Sequence, residues 1–200
     1  VEDIRNQFFA ELARGIEDHA RERGYNIIFC STDNDPNNLK SNIRLMMEIG
    51  VEGFILAAVR LNEPIVTELI DQKFPVVLVN RKSKHDRANY VVVNNYTGAY
   101  QVIEHLIKCG YQKIGIITGA ANLSTGIERF EGYRKALADN GLKFFKEYVS
   151  QGPFTKAHGR QAAETMLALQ NRPEAIFAAS DNLALGVIEA AAELGLRRGK

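Results

Sequence analysis

Phe54-Ile55-Leu56-Ala57-Ala58-Val59 and Val76-Val77-Leu78-Val79 are apolar runs with no polar break. A strand with one face in water alternates apolar and polar side chains. An unbroken run marks a strand covered on both faces, as in a parallel sheet. Working outward, β-branched and apolar runs occur at Tyr25–Ser31, Gly53–Val59, Pro75–Asn80, Tyr90–Val93, Lys113–Thr118 and Ala175–Ala179, with a weaker one near Tyr148–Gln151. Helical patterns lie between them. Phe8, Leu12, Ile16 and Ala20 form a stripe at four-residue spacing, and Gly24 stops that helix. Asp35 followed by Pro36 reads as an N-cap and first helical position, with Leu39, Ile43 and Met46 or Met47 as the apolar stripe. Further helices are expected at Glu63–Gln72, Tyr96–Lys108, Gly126–Asn140, Lys156–Leu169 and Leu183–Leu194. Thr125-x-x-Glu128 has the spacing of a capping box, and Gly110 and Gly141 mark helix ends. Strand–helix alternation of this kind predicts a doubly wound α/β architecture with right-handed crossovers.

Composition narrows the function classes. The 200 residues are 46% hydrophobic and 24% charged, with 16 Gly and 5 Pro, which is globular usage. Lys plus Arg number 25 against 24 Asp plus Glu, a net charge of +1 that offers no footprint for a phosphate backbone. Cys30 and Cys109 lie beside apolar runs and read as buried thiols, not a disulfide framework. No apolar run nears the roughly 18 residues that span a bilayer, and no basic-then-apolar leader opens the sequence. Val1 and Lys200 both read as cuts through something larger.

In open α/β sheets ligands bind outside the carboxyl ends of the strands. The residues there are Ser31-Thr32-Asp33, Asn80-Arg81, Asn94-Asn95, Gly119 through Thr125, and Ser180-Asp181-Asn182. Hydroxyls, amides, carboxylates and an arginine suit a neutral polyol or a base edge. The same residue types also cap the next helix, so each position carries two readings. The sequence carries few catalytic patterns. His19, His85, His105 and His158 have no second ligand at metal spacing. There is no Gly-x-Ser-x-Gly elbow, no phosphate loop, and Gly115-Ile-Ile-Thr-Gly119 lacks the dinucleotide pattern. Asp33 and Asp35 do not make the acidic cluster of a phosphoacceptor domain.

Asp3-Ile4-Arg5-Asn6-Gln7-Phe8-Phe9-Ala10-Glu11-Leu12 resembles the Pro-Asp-Ile-x-Asn-Pro-Phe-Phe opening of the lactose-repressor/galactose-repressor family. Similar stretches follow in the family's order: Gly24-Tyr25, Val51-Glu52-Gly53-Phe54-Ile55-Leu56, Pro75-Val76-Val77-Leu78-Val79-Asn80-Arg81, and Gly98-Ala99-Tyr100 with Glu104-His105-Leu106. Then come Gly110-Tyr111-Gln112-Lys113-Ile114-Gly115, Leu123-Ser124-Thr125 with Glu128-Arg129-Phe130-Glu131-Gly132-Tyr133, and Ala175 through Gly186. Glu2 and Gln7 stand where the family usually has proline. Asn94 replaces a frequent Asp, Tyr111 a frequent His and Ser180 a frequent Asn.

The resemblance implies an α/β, two-lobed, periplasmic-binding-protein-like type I fold, each lobe a parallel sheet flanked by helices. It places residues 1–110 in an N-terminal lobe and 111–200 in a C-terminal lobe, with the boundary near Cys109–Lys113. It also implies that the DNA-reading helix-turn-helix, the hinge helix, the first core strand and the last strands lie outside this sequence. Asn6, Phe8 and Phe9 would face a ligand from the first lobe, with Asn80, Arg81, Asn94 and Asn95 at strand ends. Thr125, Arg129, Phe154, Ser180 and Asp181 would approach from the second. Neighbouring helical side chains point about 100° apart, so one of Phe8 and Phe9 lines a site. Arg129 lies one turn past Thr125; it is either a donor fork toward ligand or a surface ion-pair partner of Glu128 or Glu131.

The function implied is a ligand-sensing domain of a bacterial transcription regulator. It would bind a sugar, a sugar derivative or a nucleobase, use no cofactor or metal, catalyse nothing and work in the cytoplasm. Closure would pass through a homodimer, with the helices around Ile65–Ile70 and Leu39–Met47 as the dimer surface, to operator DNA bound by the absent module. A solute-binding protein of a sugar importer is the alternative, and an α/β enzyme acting through Asp181 or Asp33 a remote one.

Overall fold

The computed structural model describes residues 1–57 and 59–196. The chain divides into two compact units, Val1–Val92 and Val93–Lys200. Helix α1 (Gln7–Arg21), helix α2 (Pro36–Ile49), strand β1 (Phe54–Leu56), helix α3 (Pro64–Asp71), strand β2 (Val76–Val79) and strand β3 (Asn89–Val91) make the first. Helix α4 (Asn95–Lys108), strand β4 (Ile114–Gly119), helix α5 (Ser124–Asp139), strand β5 (Val149–Gly152), helix α6 (Lys156–Leu167), strand β6 (Ala175–Ala178) and helix α7 (Asp181–Glu193) make the second.

In the second unit the sheet order is β5-β4-β6, all parallel, with Ile116 aligned to Val149 and Phe177. Every residue of the central strand β4 is buried. Its side chains divide between two cores. Ile114 and Ile116 join Ile103, Tyr133, Ala136 and Leu137 of α4 and α5, while Ile117 joins Ala162, Ala163, Met166, Leu183 and Ala190 of α6 and α7. The Tyr133 hydroxyl donates to the Ile114 carbonyl at 2.8 Å, and burial pushes its ionisation far above the usual phenol range. Close helix packing depends on glycine. A Cβ at Gly132 would lie 2.3 Å from the Tyr96 carbonyl oxygen, and one at Gly159 2.3 Å from that of Leu183. The first contact ties α4 to α5, and both helices belong to the unit that begins at Val93.

In the first unit the order is β1-β2-β3, also parallel, with Phe54 aligned to Val76 and Val77 to Asn89. Leu56, Val76 and Leu78 pack under Leu39 and Ile43 of α2 and Ile65, Val66, Leu69 and Ile70 of α3. The opposite face is less covered: Ile55 is 46% exposed. The unbroken apolar run therefore overstates burial here. The apolar residues of α3 also serve this core instead of forming an outer surface.

Several local expectations shift. Tyr25–Ser31 is extended but is not a strand in the described structure, and Tyr25, Ile28 and Phe29 are exposed. A strand exists through its ladder, and the parallel-type bonds Val1 N–H to Cys30 O and Thr32 N–H to Val1 O join this stretch to the rest of the unit only near its end. Helix α1 buries Phe9 and Ala13, one residue out of phase with the expected stripe, leaving Phe8 49% exposed. Cys109 is exposed and Cys30 half-buried, so neither is the buried thiol expected. Ala58, at the end of the first quoted run, lies outside the described residues.

Helix stops follow one pattern. At Gly24 (φ 79°) the Tyr25 N–H reaches the Ala20 carbonyl and the Gly24 N–H that of Arg21, a Schellman closure with glycine in the left-handed position. Lys73 occupies the same position after α3 with φ 58°, its N–H bonding Ile70 O while Phe74 N–H bonds Leu69 O. A side chain there is strained, so Lys73→Gly should stabilise the chain by about 1 kcal/mol in urea unfolding. Gly159→Ala should destabilise it by about 1–3 kcal/mol in the same assay, because the methyl meets backbone that has no room to retreat.

Candidate functional site

In the second unit the strand ends converge on Arg129. Strand β4 ends at Gly119 and α5 begins at Ser124, and two glycines let the helix start close down on the strand. A Cβ at Gly126 would lie 2.6 Å from Gly119 O, and one at Gly119 2.4 Å from the Phe154 ring. Arg129 lies one turn into α5. Its Nε donates to Asn95 Oδ1 at 2.9 Å, its Nη1 donates to the Ala179 carbonyl, and its guanidinium lies 5.7 Å from the Phe154 ring centroid. Asn95, buried in the first turn of α4, donates through Nδ2 to Glu128 Oε2 at 3.1 Å and to Val93 O at 3.2 Å. The arginine is thus fixed by an amide, a carbonyl at the end of β6 and an aromatic face, with a carboxylate one bond beyond. The Oγ1 atoms of Thr125 and Thr118 are buried without a hydrogen-bond partner among the described residues.

Arg81 is the corresponding feature of the first unit. It follows β2 and is 2% exposed. Its Nη2 donates to Glu2 Oε2, while Nε and Nη1 have no partner among the described residues. Asn80 holds φ 68°, and the Arg81 N–H closes back on Val79 O at 2.8 Å, a γ-turn around a left-handed residue. Such turns are strained, and strain of this kind gathers at functional positions. Asn80 N–H donates to Val91 O at 3.0 Å, which fixes the turn against β3. Glu2 O accepts from Asp33 N–H at 2.8 Å, and the Arg60 Nη2 donates to Asn34 O at 3.1 Å. The Asn34 Oδ1 is also buried and unpartnered among the described residues. Nearby, burial raises the Glu63 carboxyl above the ordinary range, opposed by the Arg60 N–H and charge.

The other expected site residues sort differently. Asn6, Asn94 and Ser180 cap α1, α4 and α7, accepting from the N–H of Phe8, Thr97 and Leu183. Asp181 is the exposed first residue of α7. Phe8 is exposed and stands edge-on to buried Phe9, centroids 5.2 Å apart. Thr125 is not a cap: α5 starts at Ser124, Leu123 is its N-cap without a side-chain bond, and Glu128 holds Asn95. Sequence reasoning missed Glu2, Glu128, Asn34 and Thr118 as participants. Glu128 stood beside Arg129 but its spacing pointed to a cap, and Glu2 showed only as a replaced proline.

Two α/β units, each with a parallel sheet and polar groups gathered at the carboxyl ends of its strands, define a protein of the periplasmic-binding-protein type. All of residues 1–200 match the family described as periplasmic binding proteins and sugar binding domain of LacI family, and the chain belongs to it. It is 32% identical over 195 residues to the HTH-type transcriptional repressor PurR of Aliivibrio fischeri strain MJ11, covering 96% of this chain and 58% of that one. The chain thus spans little more than half the length of the curated relatives it matches. Among solved structures it is similar to the transcription regulator CcpA of Lactococcus lactis (27% identity, 98% of this chain, 72% of that one, TM-score 0.91). It is also similar to a transcriptional regulator CelR–cellobiose complex (26% identity, 98% and 62%, TM-score 0.88). These likenesses agree with the fold expected from the sequence.

If Asn95 and Arg129 act as one unit, their substitutions are not additive. A double-mutant cycle of Asn95→Ala and Arg129→Ala, read by urea unfolding, should give a coupling energy above about 0.5 kcal/mol.

Proposed function

We propose that this chain is the effector-binding core of a transcription regulator, and that its strand-end groups recognise a small polar effector. The observation that carries the reading is Arg81: a guanidinium 2% exposed, at a strand end, with two nitrogens that have no partner among the described residues. Leaving such donors buried and unsatisfied is costly, so a ligand acceptor is their natural complement. Thr125 and Thr118 supply further oxygens in the second unit that have no partner among the described residues, and Phe154 an aromatic face. Each arginine has a carboxylate at hand, Glu2 beside Arg81 and Glu128 through Asn95. That balance favours a neutral, hydroxyl-rich molecule, a sugar or sugar derivative, with a nucleobase as the second candidate.

The relatives are repressors by name, which supports regulation over solute import. Effector binding then shifts a conformational equilibrium only by its differential affinity for two states. We assign the readout to operator DNA through a helix-turn-helix module outside this sequence, in a cytoplasmic homodimer. The exposed Leu45 and Ile49 of α2 are the apolar surface for that dimer, at 51% and 58% exposure. No described helix is long and apolar enough to cross a membrane.

The test is a thermal-shift screen of pentoses, hexoses, disaccharides and nucleobases, followed by calorimetry with the best compound. Arg81→Ala and Arg129→Ala should each weaken binding by about 2 kcal/mol or more, the scale of a desolvated charge-assisted contact. Unchanged affinity in both variants would overturn the assignment.

A further inference from the structure

Helix α4 carries a second constellation at the end opposite Asn95. His105 and Cys109 are both exposed and lie four residues apart, on one face of the last turn, which corrects the expectation that no histidine has a second ligand at metal spacing. The Cys109 Sγ lies 3.7 Å from His105 Nε2. A tetrahedral zinc with a thiolate at about 2.3 Å and an imidazole at about 2.05 Å holds those two atoms about 3.6 Å apart. The separation of the pair already matches that bite. The surroundings favour a cation. The carboxyl end of a helix carries partial negative charge, and the neighbouring Lys108 ammonium is held by Glu104 at 2.8 Å.

We propose that His105 and Cys109 form a two-point chelating site for a thiophilic d10 divalent cation, Zn²⁺ or Cd²⁺. The thiol proton leaves as the sulfur–metal bond forms, one proton per metal bound, and water fills the remaining positions. Neutral His105 binds through Nε2 without losing a proton. Two ligands on one turn act together because the second binds at high effective concentration once the first is engaged. The site is independent of the effector reading and shares no residue with it.

The experiment titrates Cd²⁺ and Zn²⁺ into the full chain carrying Cys30→Ser, which removes the other thiol. The expected result is a thiolate-to-cadmium charge-transfer band saturating at one metal per chain, with proton release seen calorimetrically in buffers of different ionisation enthalpy. Cys109→Ser should abolish the band, and His105→Gln should weaken binding by about ten-fold or more. Both positions are exposed, so circular dichroism should be unchanged in each variant. Absence of the band overturns the proposal, as does His105→Gln binding with parental affinity, which would make the thiol a lone ligand.

Discussion

Strand β4 has no wet face. Six consecutive buried residues require helices on both sides, and the side-chain period of a strand then shares its residues between two cores. Parallel pairing on both flanks follows, since each neighbour must return by a helical crossover. All strands of the unit thereby end on one edge. Gly119 is aligned with Gly152 at that edge, and β6 ends at Ala178, aligned with Ile117; the segments that follow supply Thr125 and Arg129 of α5, Phe154 and the Ala179 carbonyl. The polar cluster is a consequence of the dry strand.

The same edge explains why buried polar atoms persist there. An interior position on β4 would strand a hydroxyl such as that of Thr118 in an apolar core, at a cost of about 1–3 kcal/mol. On the function proposed above, a ligand at the strand end would satisfy it. Arg81 is the larger instance. Its guanidinium keeps one carboxylate partner, Glu2, and two of its nitrogens have none among the described residues. A hydrophobic replacement of similar size would serve stability at least as well. Retaining the charge at this place makes sense for recognition.

The runs at Val76–Val79 and Lys113–Thr118 are sufficient to read parallel sheets, although only the second reports burial directly: β4 is buried throughout, while β2 alternates buried and half-buried residues. The Tyr25–Ser31 run looks the same but has no ladder over most of its length. Composition describes a segment's own preference and not its partner. Helix phase was read one residue off in α1, where Phe8 and Phe9 are equally apolar and only packing chooses between them. The start of α5 was misplaced because Thr125-x-x-Glu128 has cap spacing, whereas Gly119 and Gly126 draw the helix down two residues earlier. Glu2 was illegible in its role, since its partner Arg81 is distant in sequence.

Asn94 and Asn95 show where residue type stops being informative. Both are asparagines at one strand-to-helix junction, and both suit capping or recognition. Asn94 is exposed, and its Oδ1 accepts from Thr97 N–H at the start of α4. Asn95 is rotated by one helical step into the unit, is 5% exposed, and spends its amide on Glu128 and Arg129. A cap needs only to reach the first turn, so it tolerates solvent. A residue that orients an arginine must exclude water from the contact to hold it in one geometry. Asn6 and Ser180 fall with Asn94 as caps, and Arg81 and Thr125 fall with Asn95 as buried groups. Burial of the polar atom, set by the helix phase after each strand, separates these two roles.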